Sequence, residues 1–153
     1  MPDHPPPDHP PTGHPPPEPD LTGDARELPP FAGQLRPENI VIRKDRVEAM
    51  LLVRPELLNR NGVLHGGAIM ALADILGGSA AYANVAAGET TTTVESKTSF
   101  FRPVPAGSRL KAVTLPLHIG RRTSVWQTSL YLENGKLAAL VQQTQMTIAP
   151  IGE

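Results

Sequence analysis

The chain of 153 residues contains no cysteine, and its charges nearly cancel to a net charge of −1. Without cysteine there can be no disulfide framework, no cysteine-ligated zinc site and no thiol nucleophile. The near-neutral charge also lacks the clustered basic face that is typical of nucleic-acid-binding proteins. The N-terminus has neither the basic start nor the apolar core of a secretory signal peptide. We therefore expect a cytoplasmic protein that binds no nucleic acid.

Proline is concentrated at one end of the chain. Residues 1–30 hold twelve of the 18 prolines and carry six acids against one base, a charge of −5. Residues 31–153 carry nine acids and thirteen bases, a charge of +4. Nothing in the proline-rich part could be buried, and proline favours extended polyproline II conformations. We predict a disordered, acidic, proline-rich tail over residues 1–33 and one folded domain over residues 34–153.

The tail contains a five-residue repeat, in which His4, His9 and His14 are each followed by prolines. These histidines could bind a metal ion, but an extended tract separates the rings and offers no preformed cage. The tract could also be a ligand for a groove that binds polyproline II segments. We favour a disordered extension that increases solubility, and we assign no metal site to the chain.

The rest of the chain predicts one strand, one long helix and then four antiparallel strands. Residues 46–53 alternate and suit a strand, while residues 65–87 carry a single charge and are rich in Ala, Leu, Ile and Gly. The four later runs are rich in Thr, Val, Leu and Ile, and they cover Thr90–Phe101, Arg109–Ile119, Thr123–Leu132 and Lys136–Ile148. Asn134-Gly135 between the last two is a hairpin signal. We predict an α+β fold in which an antiparallel sheet of about five strands wraps around one long central helix.

The apolar helix raises the question of a membrane span. Asp74 lies near its middle, where a carboxylate costs about 2.5–3.5 kcal/mol in a bilayer, and no belt of Trp or Tyr flanks both ends. A helix of a water-soluble protein that is apolar on every face must be buried on every face. One sheet covers only part of its circumference, so a second subunit is expected to cover the remainder. We therefore predict a homodimer or homotetramer with no membrane association.

Two features of the helix suggest chemistry. Asp74 is its only acid, and a carboxylate in apolar surroundings is suited to act as a general base near neutral pH. The helix start, His65-Gly66-Gly67, offers free backbone N–H groups with the helix dipole behind them, and glycine allows a ligand to approach. Each such donor can stabilise a transition-state oxyanion by about 3–4 kcal/mol. Taken alone, however, a His-Gly-Gly sequence more often marks a tight turn.

The spacing of these features restricts how they can cooperate. His65 and Asp74 are nine residues apart, so on one helix they lie about 13 Å apart and on opposite faces. They cannot act on one small group from the same chain. If both are catalytic, the site must combine the helix start of one subunit with Asp74 of another.

Residues 59–78, which read NRNGVLHGGAIMALADILGG, resemble the signature of hot-dog-fold acyl-CoA thioesterases of the phenylacetate (PaaI-like) type. Residues 93–103 resemble the strand that follows in that family, and residues 120–122 and 134–138 resemble its later turn and hairpin. The similarity covers about residues 35–149. It implies a hot-dog fold and the hydrolysis of aryl- or acyl-CoA thioesters to free acid and CoA. It implies no cofactor apart from the coenzyme A of the substrate.

The resemblance also implies roles for residues near the helix start. The Gly66 N–H would bind the thioester carbonyl oxygen, and Asn59 would help to fix the carbonyl group or the water. Asn61 competes with Asn59, although Asn59 has the family's spacing to His65. His65 would orient the loop more than act as a base, and Val63 belongs to the coenzyme-binding residues.

The remaining roles fall outside the helix start. Asp74 of the partner subunit would be the nucleophile or the general base toward water. Thr93 would hydrogen-bond that water or the carboxylate, with the register along Thr90–Thr93 open by a residue or two. Arg121 and Arg122 could meet the phosphates of CoA, or could equally be solvated arginines in a turn.

Three other functions stay open at this point, one of which is a scaffold that acts through the proline-rich tail. A non-catalytic module that binds acyl-CoA would be stabilised against thermal unfolding by its ligand without releasing a thiol. A hot-dog enoyl-CoA hydratase or dehydratase would use a histidine as acid or base near a carboxylate, and here His65 belongs to the helix start. The sequence does not name the acyl group, and it does not separate a dimer from a tetramer.

Overall fold

The computed structural model describes residues 30–150 and contains two α-helices, a short 3₁₀ helix and six strands. In chain order the elements are α1 Ala32–Leu35, β1 Glu38–Ile42, β2 Val47–Leu52, the 3₁₀ helix Pro55–Leu57, α2 Gly66–Tyr82, β3 Thr90–Phe100, β4 Arg109–Ile119, β5 Thr123–Tyr131 and β6 Leu137–Ile148. The long helix and the strands that follow it agree with the predicted order of elements.

The strands form one antiparallel sheet in the order β1-β2-β4-β5-β6-β3, and α2 packs on one face of it. The sheet has six strands where about five were expected, because β1 was not predicted. Only Ile42 of β1 is buried, Asn39 adopts a positive φ of 51°, and the pairing with β2 is irregular between Glu38 and Val41. A strand with one buried side chain and a broken register has no alternating pattern to detect.

The core lies between α2 and the sheet. Ile69, Leu72, Leu76 and Ala80 of α2 are buried against strand residues that include the fully buried Trp126. Opposite them, a stripe at four-residue intervals stays outside the core: Met70, Asp74 and Tyr82 are exposed and Gly78 is half-buried. The apolar helix is thus covered on one side by its own sheet. Within residues 30–150, no helix is long and apolar enough to cross a membrane.

The short helix α1 fixes the start of the packed region. Ala32 and Leu35 are buried, and the Arg54 guanidinium donates hydrogen bonds to the carbonyl oxygens of Gln34 and Leu35 at 2.9 and 3.0 Å. Packed residues therefore lie on both sides of the predicted boundary at residue 33. The rest of the predicted tail, with its three histidines, lies outside the described residues.

Candidate active site

The His65-Gly66-Gly67 sequence forms the capped start of α2. His65 is the N-cap residue in an extended conformation, and its Nδ1 accepts a hydrogen bond of 2.9 Å from the Gly67 N–H. A Cβ on Gly67 would lie only 3.0 Å from that Nδ1, so glycine makes room for the imidazole ring. With Nδ1 engaged in the cap, that nitrogen of His65 is not free to act as a base.

The Gly66 N–H is the donor that this cap leaves available. It is the first N–H of α2 and has no hydrogen-bond partner within the described part of the chain. A Cβ on Gly66 would lie 3.2 Å from the ring of Phe100, at the end of β3. A free N–H at a helix start, aided by the helix dipole, is suited to bind a developing negative charge.

A surface cavity of about 340 Å³ opens beside Gly66. Its lining is mostly apolar and comprises Asn59, Val63, Leu64, Gly66, Ile69, Phe100, Phe101, Arg102, Pro103 and Val104. Asn59 and Val63, both predicted as site residues, thus lie in one cavity with the free N–H of Gly66. Asn61 is exposed in the turn and is not part of this lining.

The side chain of Asn59 holds its own loop together. Its Oδ1 accepts hydrogen bonds from the backbone N–H groups of Asn61, at 2.8 Å, and Val63, at 3.4 Å. The amide Nδ2 is then the group of Asn59 that can donate to a ligand in the cavity.

Asp74 and Thr93 form a second cluster. The Thr93 hydroxyl donates a hydrogen bond of 2.7 Å to Oδ1 of Asp74, so among the four threonines of residues 90–93 it is Thr93 that reaches the carboxylate. The same hydroxyl oxygen accepts a hydrogen bond of 2.7 Å from Nε2 of Gln145 on β6. Asp74 is exposed in the single chain and not buried as its apolar helix suggested, because it lies on the side of α2 that faces away from the sheet.

Gln143 packs beneath the same part of α2. Its Nε2 lies 3.5 Å from both Oδ1 and the backbone oxygen of Asp74, and its side chain is almost fully buried. An added Cβ on Gly77 would lie 2.6 Å from that Nε2. Gly77 therefore leaves the space in which the Gln143 amide lies.

Arg121 and Arg122 are exposed in the turn between β4 and β5. Arg121 lines a small cavity together with Ala81 and Asn84, at the C-terminal end of α2. Ala81 is fifteen residues from Gly66, which corresponds to about 22 Å along the helix. The two arginines therefore do not share a site with Gly66 of the same chain. Between residues 30 and 150, no three His, Asp or Glu side chains are close enough to hold a metal ion.

The predicted residues thus fall into separate groups within one chain. Asn59, Val63, His65 and Gly66 lie at the start of α2, and Asp74 lies eight residues, or about 12 Å, along the helix. The structure does not bring these two groups to one point, in agreement with the distance expected from the sequence.

Gln143, Gln145 and Phe100 were missed by sequence reasoning. The two glutamines continue the inward-facing positions of β6 after Val141, and both are almost fully buried. Amides at alternate positions of an otherwise apolar strand face are a signal of a buried polar contact. Phe100 had no comparable signal, because its contact with Gly66 depends on where β3 ends.

A long helix packed on one face of a six-stranded antiparallel sheet, with a glycine-rich helix start, is typical of the hot-dog class of folds. The E. coli PaaI protein from the phenylacetic acid degradation operon is similar to this chain with a TM-score of 0.77 at 23% identity, over 84% of this chain and 91% of PaaI. The thioesterase HI1161 of Haemophilus influenzae is similar with a TM-score of 0.74 at 27% identity, over 87% and 93% of the two chains. The smu.793 protein of Streptococcus mutans, solved with acetyl-CoA bound, matches with a TM-score of 0.69 at 22% identity, over 75% and 90%.

Sequence comparison identifies the family. The model of the thioesterase superfamily matches residues 61–139. The proofreading thioesterase EntH of Cronobacter sakazakii is 36% identical over 92 residues, which make up 60% of this chain and 66% of EntH. The chain therefore spans slightly less than two thirds of the length of EntH. It belongs to the thioesterase superfamily, and the predicted resemblance to hot-dog thioesterases is confirmed.

Proposed function

We propose that the protein hydrolyses acyl-CoA thioesters to a free acid and CoA at a site formed by two subunits. One observation carries the proposal. The free N–H of Gly66 and the Thr93-bound carboxylate of Asp74 are the two groups that such a reaction requires, but about 12 Å of helix separates them in one chain. In a dimer, Asp74 of one copy can lie beside Gly66 of the other copy, so that each site contains both groups.

The exposed stripe of α2 supports this assembly. In an antiparallel pair of α2 helices that cross at Met70, Gly66 of one copy lies opposite Asp74 of the other, because Met70 is midway between them. Met70 and Tyr82 are exposed large hydrophobic residues on that stripe. β3 is also an edge strand, with no pairing on its outer side within residues 30–150. A homodimer would cover the stripe, and pairs of dimers would form a homotetramer.

The reaction follows from the two groups. The Gly66 N–H and Nδ2 of Asn59 donate hydrogen bonds to the thioester carbonyl oxygen and stabilise the oxyanion. As a general base, the partner's Asp74 takes a proton from a water molecule whose oxygen attacks the carbonyl carbon. The carbon–sulfur bond then breaks, and the CoA thiolate leaves and is protonated. As a nucleophile, the carboxylate would instead form an acyl anhydride that water hydrolyses.

Coenzyme A esters are the proposed substrate class. The acetyl-CoA bound to the similar smu.793 protein supports this class, and Arg121 and Arg122 are exposed cations suited to the phosphates of CoA. We propose the cytoplasm as the location, and we propose no metal or cofactor. The acyl group would contact the apolar cavity lining near Phe100.

A thiol-release assay across short-chain, long-chain and aromatic acyl-CoAs tests the proposal on the purified full-length chain. We expect release of CoA thiol with at least one class. Thermal stabilisation by acyl-CoA without thiol release would identify the non-catalytic binding module instead. Hydration of an enoyl-CoA without thiol release would identify the hydratase alternative. Either of these two results would overturn the proposal.

A further inference from the structure

We infer that Gln145 is a positioning residue for Asp74, which acts by fixing the direction of the Thr93 hydroxyl. The inference rests on the proposed function, in which Asp74 is the reacting acid. Gln145 lies on β6, Thr93 on β3 and Asp74 on α2, so two consecutive hydrogen bonds connect three elements of the fold.

The direction of donation along these hydrogen bonds follows from the chemistry of the three side chains. The Nε2 group of Gln145 can only donate, so the Thr93 oxygen, 2.7 Å away, must accept. The single proton of Thr93 is then left to point at Oδ1 of Asp74, also at 2.7 Å. The opposite orientation of the amide would draw that proton toward Gln145 and leave two sets of lone pairs facing each other between Thr93 and Asp74.

This direction determines what each oxygen of Asp74 can do. Oδ1 accepts from Thr93, whereas Oδ2 receives no hydrogen bond from residues 30–150. Oδ2 is therefore the oxygen that meets water or the thioester. Thr93, whose proton is committed to the carboxylate, does not donate to the attacking water.

The burial of Gln145 argues against a purely structural role. The residue is about 1% exposed on the strand face that also carries the apolar residue Val141. Burying an amide costs free energy unless it is hydrogen-bonded, and an apolar side chain would fill the same space without that cost. The amide is therefore explained by its contact with Thr93.

A double-mutant cycle tests the inference with an acyl-CoA that the wild-type enzyme hydrolyses. Loss of one hydrogen bond predicts that Gln145→Leu lowers kcat about three- to ten-fold, with KM changed less than about two-fold. Thr93→Val should lower kcat at least as much, and Thr93→Ser, which keeps a hydroxyl, should restore most of it. In the Thr93→Val background, Gln145→Leu should have little further effect on kcat, because the hydroxyl that connects Gln145 to Asp74 is already absent.

The matched control is Gln142→Leu, which changes an exposed glutamine on the other face of β6 and should leave kcat unchanged. Thermal unfolding checks that each variant is folded. If Gln145→Leu does not fold, Gln145→Met, which keeps the length of the side chain, replaces it in the cycle.

Two outcomes would overturn the inference. The first is a Gln145 variant with the same kcat as the Gln142 control. The second is an equal loss of kcat with and without the Thr93 hydroxyl. An Asp74→Asn variant separates this failure from that of the proposed function: if it stays active, the proposed mechanism is wrong, whereas if it is inactive and Gln145→Leu is silent, only the role of Gln145 is wrong.

Discussion

Gly77 on α2 leaves the space that the buried side chain of Gln143 occupies, since a Cβ at position 77 would lie 2.6 Å from its amide nitrogen. At the neighbouring Gly78, nothing in residues 30–150 apart from the adjacent part of α2 lies within 4 Å of the corresponding point. One of two adjacent glycines is therefore required by the core, and the other is not.

We expect Gly77→Ala to lower the free energy of unfolding by about 1–3 kcal/mol, because the Gln143 amide must leave its site beneath Asp74. Gly33→Ala in α1 is the control, because no other part of the structure lies within 4 Å of a Cβ at Gly33 and this residue lies outside the stripe of α2 that the proposed homodimer covers. Helix propensity alone predicts a gain of up to about 1 kcal/mol for it. Denaturant unfolding of both variants at equal protein concentration measures the difference. Equal stabilities would show that Gln143 moves aside without cost.

The sequence predicted α2 and the strands from β2 to β6 because their patterns are long and interrupted by clear turns. β1 could not be predicted in this way, since it buries only Ile42 and Asn39 breaks its alternation. Pairing to β2, which is a tertiary contact, is what makes this segment a strand.

The predictability of the site differs between its residues. Asp74 and the His65-Gly66-Gly67 sequence could be found because a lone acid and paired glycines are unusual in an apolar segment. The sequence did not show which threonine of residues 90–93 contacts Asp74, and in the structure it is Thr93. The role of Gln145 could not be predicted, because β6 lies beside β3 in the sheet and the order of the strands in the sequence does not reveal this pairing.

The carboxylate of Asp74 is expected to be required for turnover. Asp74→Asn keeps the size of the side chain but removes the base, so we expect kcat to fall about 10²-fold or more. Steady-state thiol release measures kcat and KM, with thermal unfolding as the check on folding. Turnover close to that of the wild type would contradict the assigned role.

The Gly66 N–H can be removed by a proline substitution, with alanine as the control for the added Cβ. Gly66→Pro deletes this donor at the first position of α2, where proline is favoured, and His65 already has the extended ψ of 134° that a following proline prefers. Gly66→Ala is the matched control, because it adds a Cβ against Phe100 but keeps the N–H. Relative to the alanine variant, we expect kcat of the proline variant to fall about 10²- to 10³-fold. A similar kcat for both variants would show that the N–H does not bind the oxyanion.

The donor role of Asn59 can be separated from its role in the loop. Asn59→Asp keeps an Oδ1 that accepts from Asn61 and Val63, but it replaces the Nδ2 donor with a negatively charged oxygen. We expect an unchanged unfolding temperature and a clear fall in kcat for thiol release. If Asn59→Asp and the wild type have the same kcat, Asn59 only stabilises its own loop and does not donate to the substrate.

A site shared between two subunits makes a specific prediction for mixed oligomers. Asp74→Asn chains lack the base and Gly66→Pro chains lack the donor, so each homodimer has two defective sites. After the two are unfolded together and refolded in equal amounts, half of the dimers are mixed, and each mixed dimer has one site with both groups intact. We expect about a quarter of the wild-type activity from random pairing of a two-fold dimer. If both groups instead acted within one chain, every chain in the mixture would carry a defect and no activity would return. Mixing without unfolding is the control, and thiol release per chain is the measurement.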